Sequence, residues 1–156
     1  MNILFLCTGN SCRSIIAEAT FNHLAQPNIR AMSAGSNPTG EIHPRSIALL
    51  NKKGINTDGY YSKSWHDLRF SPDIVITVCG NAAGETCPAY LGEVMRAHWG
   101  VDDPAKVTGT DVEMNTSFEN AYKILRNRIL AFLALPLDKI DKATLQSELN
   151  NIGNID

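Results

Sequence analysis

The residues best suited to chemistry lie in a short loop near the start of the chain, between Cys7 and Arg13. Residues 3–6 are apolar and predict a buried strand, and the amphipathic segment after Ser14 predicts a helix. A loop between a strand and a helix N-terminus directs backbone N–H groups and the helix dipole at one point, which favours an anion. The same field favours a thiolate at Cys7, and the Arg13 fork matches two oxygens of a tetrahedral oxyanion. The pattern therefore predicts a thiolate aimed at the centre of an oxyanion.

The residues that fill this loop strengthen the prediction, because Cys-x5-Arg alone is a weak motif. The alternative is a small buried cysteine that ends a core strand. Residues 7–14 read Cys-Thr-Gly-Asn-Ser-Cys-Arg-Ser, which resembles the signature loop of low-molecular-weight protein tyrosine phosphatases and of the arsenate reductases built on the same fold. The resemblance implies an oxyanion-binding loop that consists of Thr8, Gly9, Asn10, Ser11, Cys12, Arg13 and Ser14.

Composition places the chain among ordinary globular proteins. A length of 156 residues suits one domain, and a net charge of -2 gives no support for nucleic-acid or membrane binding. No apolar run approaches the roughly 20 residues that span a bilayer, and Met1 leads almost directly into the first strand. We therefore expect a cytoplasmic protein. A monomer is the expected oligomeric state, although composition does not determine it. In a reducing compartment the four cysteines are more suited to catalysis or redox chemistry than to a disulfide framework.

Further strands are predicted at residues 29–33, where the pattern alternates, at the β-branched run 74–78, and at residues 95–99. The run at 74–78 does not alternate, which is typical of a parallel strand buried on both faces. Strands that alternate with helical segments predict an α/β fold, a three-layer αβα sandwich with a four-stranded parallel sheet. We expect a single catalytic domain over residues 1–135. The extension over 136–156 is predicted to form a short surface helix.

Two of the predicted helices have clear sequence signals. One begins at His43-Pro44, because proline suits the first turn of a helix. The other follows an apolar stripe over residues 118–133, with Thr116 and Glu119 as a capping box at its start. On that second helix, three basic side chains are predicted to face outward: Lys123, Arg126 and Arg128.

Ligands of parallel sheets bind beyond the carboxyl ends of the strands, and both Cys7 and Cys79 end predicted strands at that edge. These two thiols could therefore lie near one another, which suggests redox chemistry. The alternative for Cys79 is a small apolar residue at the end of a core strand. We predict no metal site and no cofactor, because the four thiols lack a Cys-x2-Cys pair and no histidine cluster accompanies them.

A second resemblance concerns residues 78–88 and 98–105, which are similar to the thioredoxin-coupled arsenate reductases; the likeness extends from residue 2 to about residue 133. It implies that Cys7 attacks arsenate, that Cys79 attacks Cys7 and releases arsenite, and that a Cys79–Cys87 disulfide is then reduced by thioredoxin. The chemistry agrees with this assignment, since reduction of arsenate needs two electrons and a third thiol can carry the disulfide outward.

The same resemblance implies further roles in the site. Asp103 of the Asp103-Pro104 pair would be the general acid, Ser14 would hydrogen-bond the thiolate and Asn10 would hold the loop. Arg13 and the loop backbone would bind arsenate, or phosphate or sulfate as its analogue. On the residues alone, Asp103-Pro104 is an ordinary turn. For Cys12 a backup redox thiol is the alternative, and we favour packing.

Some features depart from the family pattern. The segment between Cys79 and Cys87 is one residue longer than in the best-known members. Some relatives bind potassium through residues like Asn10, Glu18 and Ser33, but the aspartate that completes that site has no clear equivalent here, so we do not predict it. Without such a site, Glu18 is expected to be a solvated helix residue.

Three alternatives to thioredoxin-coupled arsenate reduction remain open. The first is a phosphatase acting on phosphotyrosine or a small phosphoester, although Ala105 stands where those relatives carry an aromatic residue that lines the cleft. The second is a non-catalytic oxyanion-binding or thiol-sensing module, which would have no need of Asp103. The third keeps arsenate reduction but couples it to glutaredoxin and glutathione, or to another small thiol.

Overall fold

Four parallel strands form the sheet in the described part of the chain, residues 1–78 and 94–156 of a computed structural model. The predictions about Cys79 and Cys87 lie outside these residues. The strands lie side by side in the order β2-β1-β3-β4. Their bounds are Asn2–Cys7 for β1, Arg30–Gly35 for β2, Ile74–Thr77 for β3 and Met95–His98 for β4. The predicted parallel sheet and α/β fold are confirmed.

Four α-helices accompany the sheet in the described residues. They are α1 (Arg13–Leu24), α2 (Pro44–Lys52), α3 (Asp111–Leu133) and α4 (Lys142–Ile152). Two short 3-10 helices cover Trp65–Asp67 and Pro104–Lys106. The helix predicted at His43-Pro44 is confirmed: Pro44 takes the first helical position and His43 Nδ1 accepts a hydrogen bond from Arg45 N at 3.1 Å. None of the described helices combines the length and the apolar character that a membrane crossing demands.

Both faces of the central strand β1 are buried, as expected for a parallel sheet. Ile3 and Phe5 pack into the larger core with the helices, and Leu4 and Leu6 pack on the opposite face against residues such as Val75. Trp99, fully buried directly after β4, is central to the larger core. Its ring centroid lies 6.1 Å from that of Phe5 and 6.4 Å from that of Phe132, so it joins the sheet to α3.

The start of α3 was predicted wrongly. The helix begins at Asp111, and its capping box is formed by Thr110 and Glu113 rather than by Thr116 and Glu119. Thr116 lies inside the helix and donates from its hydroxyl to the carbonyl of Val112 at 2.8 Å. Two Thr-x-x-Glu patterns follow each other here, at residues 110–113 and 116–119. The first turns of the helix are exposed and carry no apolar stripe, so hydrophobic periodicity did not reveal that the helix begins at the earlier pattern.

The prediction that Arg128 faces outward was also wrong. Its side chain is buried, with 4% exposure, and it donates to backbone carbonyls that lie far away in the sequence. Those acceptors replace water around the guanidinium, which allows a charged residue to lie within an otherwise apolar helix face. In the extension, α4 buries Leu145, Leu149 and Ile152 in the larger core.

Candidate active site

The loop from Cys7 to Arg13 joins the end of β1 to the start of α1 at the carboxyl edge of the sheet. Cys7 ends its strand and is 2% exposed. The end of β2 approaches the loop so closely that a Cβ on Gly35 would lie 2.5 Å from the Thr8 carbonyl oxygen. Only glycine fits at that position, and the close contact holds the loop against the sheet.

The sulfur of Cys7 is surrounded by hydrogen-bond donors. Asn10 N donates to Cys7 Sγ at 3.2 Å, and Ser14 Oγ lies 2.8 Å from the same atom. Ser14 Oγ also accepts a hydrogen bond from Asn10 Nδ2 at 2.8 Å, which leaves its own hydrogen to point at the sulfur. Hydrogen bonds to the charged form of a group stabilise that form, so this arrangement favours a thiolate.

Asn10 holds the loop in shape. It is fully buried and has a φ of 47°, in the left-handed region that asparagine tolerates better than most residues. Its Nδ2 also donates to Ser33 Oγ on β2 at 2.9 Å, and its Oδ1 accepts from Lys63 N at 2.9 Å. A single side chain therefore connects the loop to β2 and to the segment around Lys63.

The carbonyl oxygens of the loop are bonded by the segments that flank it. The Thr8 carbonyl accepts from Asn37 N at 2.9 Å and the Ser11 carbonyl accepts from His43 N at 3.1 Å. The Gly9 carbonyl accepts from Thr39 N at 3.0 Å. With these carbonyls engaged by flanking segments, the backbone is suited to turn N–H groups toward an anion, and the first turn of α1 adds N–H groups without intrahelical partners.

The guanidinium of Arg13 faces a carboxylate from another part of the chain. Arg13 Nη2 lies 3.5 Å from Asp103 Oδ2, and Arg13 Nη1 donates to the carbonyl of Val101 at 3.0 Å. The Arg13 and Asp103 side chains are 12% and 23% exposed, so the pair lies near solvent. Asp103 Oδ1 accepts from Ala105 N at 3.0 Å, which fixes the carboxyl group and directs its other oxygen at Arg13.

Glu18 is not a solvated helix residue, and that interpretation was wrong. Its side chain is 5% exposed, and its Oε1 accepts a hydrogen bond from Ser33 Oγ at 2.6 Å. Burial raises the pKa of Glu18 above its ordinary value, and the charge of Lys63 and the bond from Ser33 oppose that rise. Glu18 thus extends the hydrogen-bond network of Asn10 beneath the loop.

Cys12 precedes α1 inside the loop and is 6% exposed. Burial is the main reason that the pKa of Cys12 rises to about 11, and the nearby Asp103 charge adds to this effect. A thiol of this kind stays protonated at neutral pH, which agrees with the packing role favoured for Cys12.

The structure brings three of the predicted catalytic residues, Cys7, Arg13 and Asp103, to the carboxyl edge of the sheet, together with the predicted oxyanion-binding loop. The predicted partners Cys79 and Cys87 lie outside the described residues. The sequence did not indicate that the carbonyl of Val101 binds Arg13, because any residue type can supply a backbone acceptor. Within residues 1–78 and 94–156, no group of three or more His, Cys, Asp or Glu side chains is arranged to hold a metal ion.

Comparison with known proteins connects this site to characterised ones. A profile of the low molecular weight phosphotyrosine protein phosphatase family matches residues 2–148. An arsenate reductase from Shouchella clausii is 40% identical over 131 residues, which covers 83% of this chain and 93% of that protein.

Two solved structures share the fold. A thioredoxin-dependent arsenate reductase from Corynebacterium glutamicum has a TM-score of 0.58 and 28% identity, over 80% of this chain and 58% of that one. An arsenate reductase in a phosphate-binding state has a TM-score of 0.63 and 26% identity, over 83% of this chain and 96% of that one. The chain therefore belongs to the low molecular weight phosphotyrosine protein phosphatase family, as a relative of its bacterial arsenate reductases.

Proposed function

We propose that the protein reduces arsenate to arsenite, with Cys7 as the nucleophile and thioredoxin as the final reductant. The observation that carries this proposal is that Arg13, on the loop that surrounds the Cys7 sulfur, lies 3.5 Å from the carboxylate of Asp103. A nucleophile, an anion-binding cation and a proton donor are the groups that displacement at an oxyanion needs. The relatives named arsenate reductase supply the identity of the oxyanion.

In the first step, arsenate binds to the loop and to Arg13, and the Arg13 guanidinium neutralises the negative oxygens of arsenate. The Cys7 thiolate attacks arsenic and forms a sulfur–arsenic bond. One arsenate hydroxyl group takes a proton from Asp103, its bond to arsenic breaks, and it leaves as water. In the unliganded protein Asp103 pairs with Arg13. When arsenate binds, it replaces Asp103 as the negative partner of Arg13. The Asp103 carboxyl group then lies beside a negative charge, which favours its protonated form.

In the second step, the Cys79 thiolate attacks the sulfur of Cys7. A Cys7–Cys79 disulfide forms, and the electron pair of the sulfur–arsenic bond stays on arsenic, which leaves as arsenite. Cys87 then attacks Cys79, which frees Cys7 and forms a Cys79–Cys87 disulfide. A thioredoxin dithiol reduces that disulfide and restores the starting state. The family resemblance of residues 78–88 and the thioredoxin-dependent relative support this sequence of steps.

Hydrolysis of phosphoesters is the alternative use of the same loop. Asp103 could protonate an alcohol leaving group, and water could then cleave the Cys7 adduct. Ala105 follows Pro104, however, and offers no aromatic surface for a substrate ring. The chemistry shared by the two reactions predicts at most a weak phosphatase activity beside arsenate reduction.

The proposal is tested by arsenate-dependent oxidation of NADPH in the presence of thioredoxin and thioredoxin reductase. The wild-type protein should turn over many times, and replacing the thioredoxin system by glutaredoxin and glutathione should slow it. Cys87→Ser should complete one turnover and stop, and Cys79→Ser should bind the anion but release little arsenite. Unchanged multiple turnover in both variants would overturn the three-thiol mechanism.

A further inference from the structure

Arg128 of α3 lies buried outside the site already described and binds backbone oxygens. Its Nε donates to the carbonyl of Ile155 at 2.7 Å, and its Nη1 donates to the carbonyls of Trp99 at 2.8 Å and Gly100 at 3.2 Å. Burying a guanidinium is costly unless its donors are satisfied, so these bonds define where the bonded segments must lie.

The segment that Arg128 holds leads directly into the candidate active site. Trp99 and Gly100 are followed by Val101, whose carbonyl accepts from Arg13 at 3.0 Å, and Asp103 lies two residues further on. In the segment 99–103, Arg128 thus binds the carbonyls of the first two residues, and Arg13 contacts Val101 and Asp103. A shift of this segment would move both partners of Arg13 together.

The C-terminal segment closes on the same residues. Trp99 Nε1 donates to the carbonyl of Leu149 in α4 at 3.0 Å, and Gln146 Nε2 donates to the carbonyl of Arg96 in β4 at 2.8 Å. A Cβ on Gly153 would lie 2.6 Å from the carbonyl oxygen of His98, so only glycine allows this approach. The end of the chain is therefore packed on the strand that carries the segment.

We propose that Arg128, together with the C-terminal segment 142–156, is a positioning device for catalysis. It fixes residues 99–103, so that Val101 and Asp103 hold Arg13 in place. It thereby also keeps Asp103, the general acid, in line with the oxyanion on Cys7. The part of this inference that concerns turnover rests on the proposed function. The part that concerns anion binding rests only on the contacts between Arg128, residues 99–103 and Arg13.

The test compares Arg128→Met, Arg128→Lys and Arg126→Met. Arg126 is exposed on the same helix two residues away, so its replacement is a matched control for loss of a positive charge. Each variant is measured where circular dichroism shows it fully folded. Arg128→Met should lower kcat for arsenate by about tenfold and weaken phosphate binding severalfold, since small misplacements of catalytic groups have large kinetic effects. Arg128→Lys should recover part of both losses, and Arg126→Met should match wild type.

A double-mutant cycle distinguishes positioning from simple stabilisation. In an Asp103→Asn background, Arg128→Met should have little further effect on kcat, because the group that it positions is already lost. Its effect on phosphate affinity should persist, because that effect is exerted through Arg13. If the effects of the two substitutions on kcat are independent and simply multiply, Arg128 does not act through Asp103 and the proposal is wrong.

A shortened chain that ends at Gly153 provides a second variant if Arg128→Met does not fold. This variant removes the Ile155 carbonyl and keeps the buried residues of α4. It should lower kcat and phosphate affinity as Arg128→Met does, but by a smaller factor. Failure of the proposed function would appear separately, as a wild-type protein that binds phosphate but forms no arsenite. In folded protein, wild-type kcat and phosphate affinity in Arg128→Met or in the shortened chain would overturn the positioning role.

Discussion

Ser14 Oγ lies 2.8 Å from Cys7 Sγ while accepting a hydrogen bond from Asn10 Nδ2, so its hydroxyl hydrogen is free to point at the sulfur. A thiolate carries no hydrogen, so Ser14 is the donor in this contact whenever Cys7 is ionised. A hydrogen bond to a charged group contributes about 1.5–3 kcal/mol, which is enough to change the population of the thiolate at neutral pH.

Ser14→Ala should therefore slow alkylation of Cys7 by iodoacetamide at neutral pH by about tenfold, because the thiolate loses a charge-assisted donor. Mass spectrometry of the Cys7 peptide measures the rate. Ser36→Ala is a suitable control, since the buried Ser36 hydroxyl has no hydrogen-bond partner among the described residues. Equal alkylation rates in Ser14→Ala and wild type would show that the serine does not stabilise the thiolate.

Asp103→Asn should lower kcat for arsenate by about a hundredfold, because the departing oxygen loses its proton donor. The amide can still accept from Ala105 N, so the turn around Pro104 should keep its shape. Phosphate affinity should be kept or improved, since Arg13 is released from an ion pair. Asp102→Asn, at the exposed neighbour, should behave as wild type in both assays. Normal turnover in Asp103→Asn would instead favour the non-catalytic oxyanion-binding module.

Glu18→Gln should stabilise the protein increasingly as the pH rises. Burial raises the pKa of Glu18 in the folded state above its ordinary value of 4.5, so the folded protein holds a proton that the unfolded chain releases. Wild-type stability from this group is therefore fully present below pH 4.5 and is lost as the pH rises through the folded pKa. The glutamine keeps an acceptor for Ser33 and does not ionise.

Urea unfolding of wild type and Glu18→Gln at several pH values between 4 and 8 measures that difference. The gap in the free energy of unfolding should widen with pH and then level off. Glu41→Gln, at an exposed site, controls for the loss of one negative charge. A gap that is constant with pH would contradict the raised pKa of Glu18.

Cys12 should resist alkylation in the folded protein, because burial raises its pKa to about 11. At pH 8 only about one thiol in a thousand is ionised at that pKa, and the side chain is also shielded from the reagent. Peptide mapping after brief iodoacetamide treatment should show Cys7 modified well before Cys12. In urea the two should react at similar rates. Equal labelling in the folded state would contradict the packing role of Cys12.

The loop could be predicted from the sequence because its parts are close together along the chain. Cys7 and Arg13 are separated by five residues, and the apolar strand before them and the helix after them have local signals. The β-branched run at 74–78 likewise predicted a parallel strand, since burial on both faces removes the usual alternation. Local pattern was sufficient for these elements.

The features that were missed depend on contacts between distant residues. Arg128 was assigned to the solvent by its charge, but carbonyls at positions 99, 100 and 155 satisfy it inside the protein. Glu18 was likewise assigned to the solvent, but it is buried and accepts a hydrogen bond from the hydroxyl of Ser33, which lies on β2. Backbone acceptors have no residue type, so no sequence pattern could have indicated the contacts of Arg128.

The central claim is that the thiols of this chain supply the two electrons that arsenate needs, beginning at Cys7. A single-turnover experiment tests it most directly: fully reduced protein is mixed with arsenate without any external reductant, and arsenite and the protein's disulfides are then measured. The account predicts one arsenite per chain, loss of two hydrogens from the protein mass, a Cys79–Cys87 disulfide in the peptide map, and no arsenite from Cys7→Ser. Absence of arsenite from the wild-type protein, or equal formation by Cys7→Ser, would contradict it.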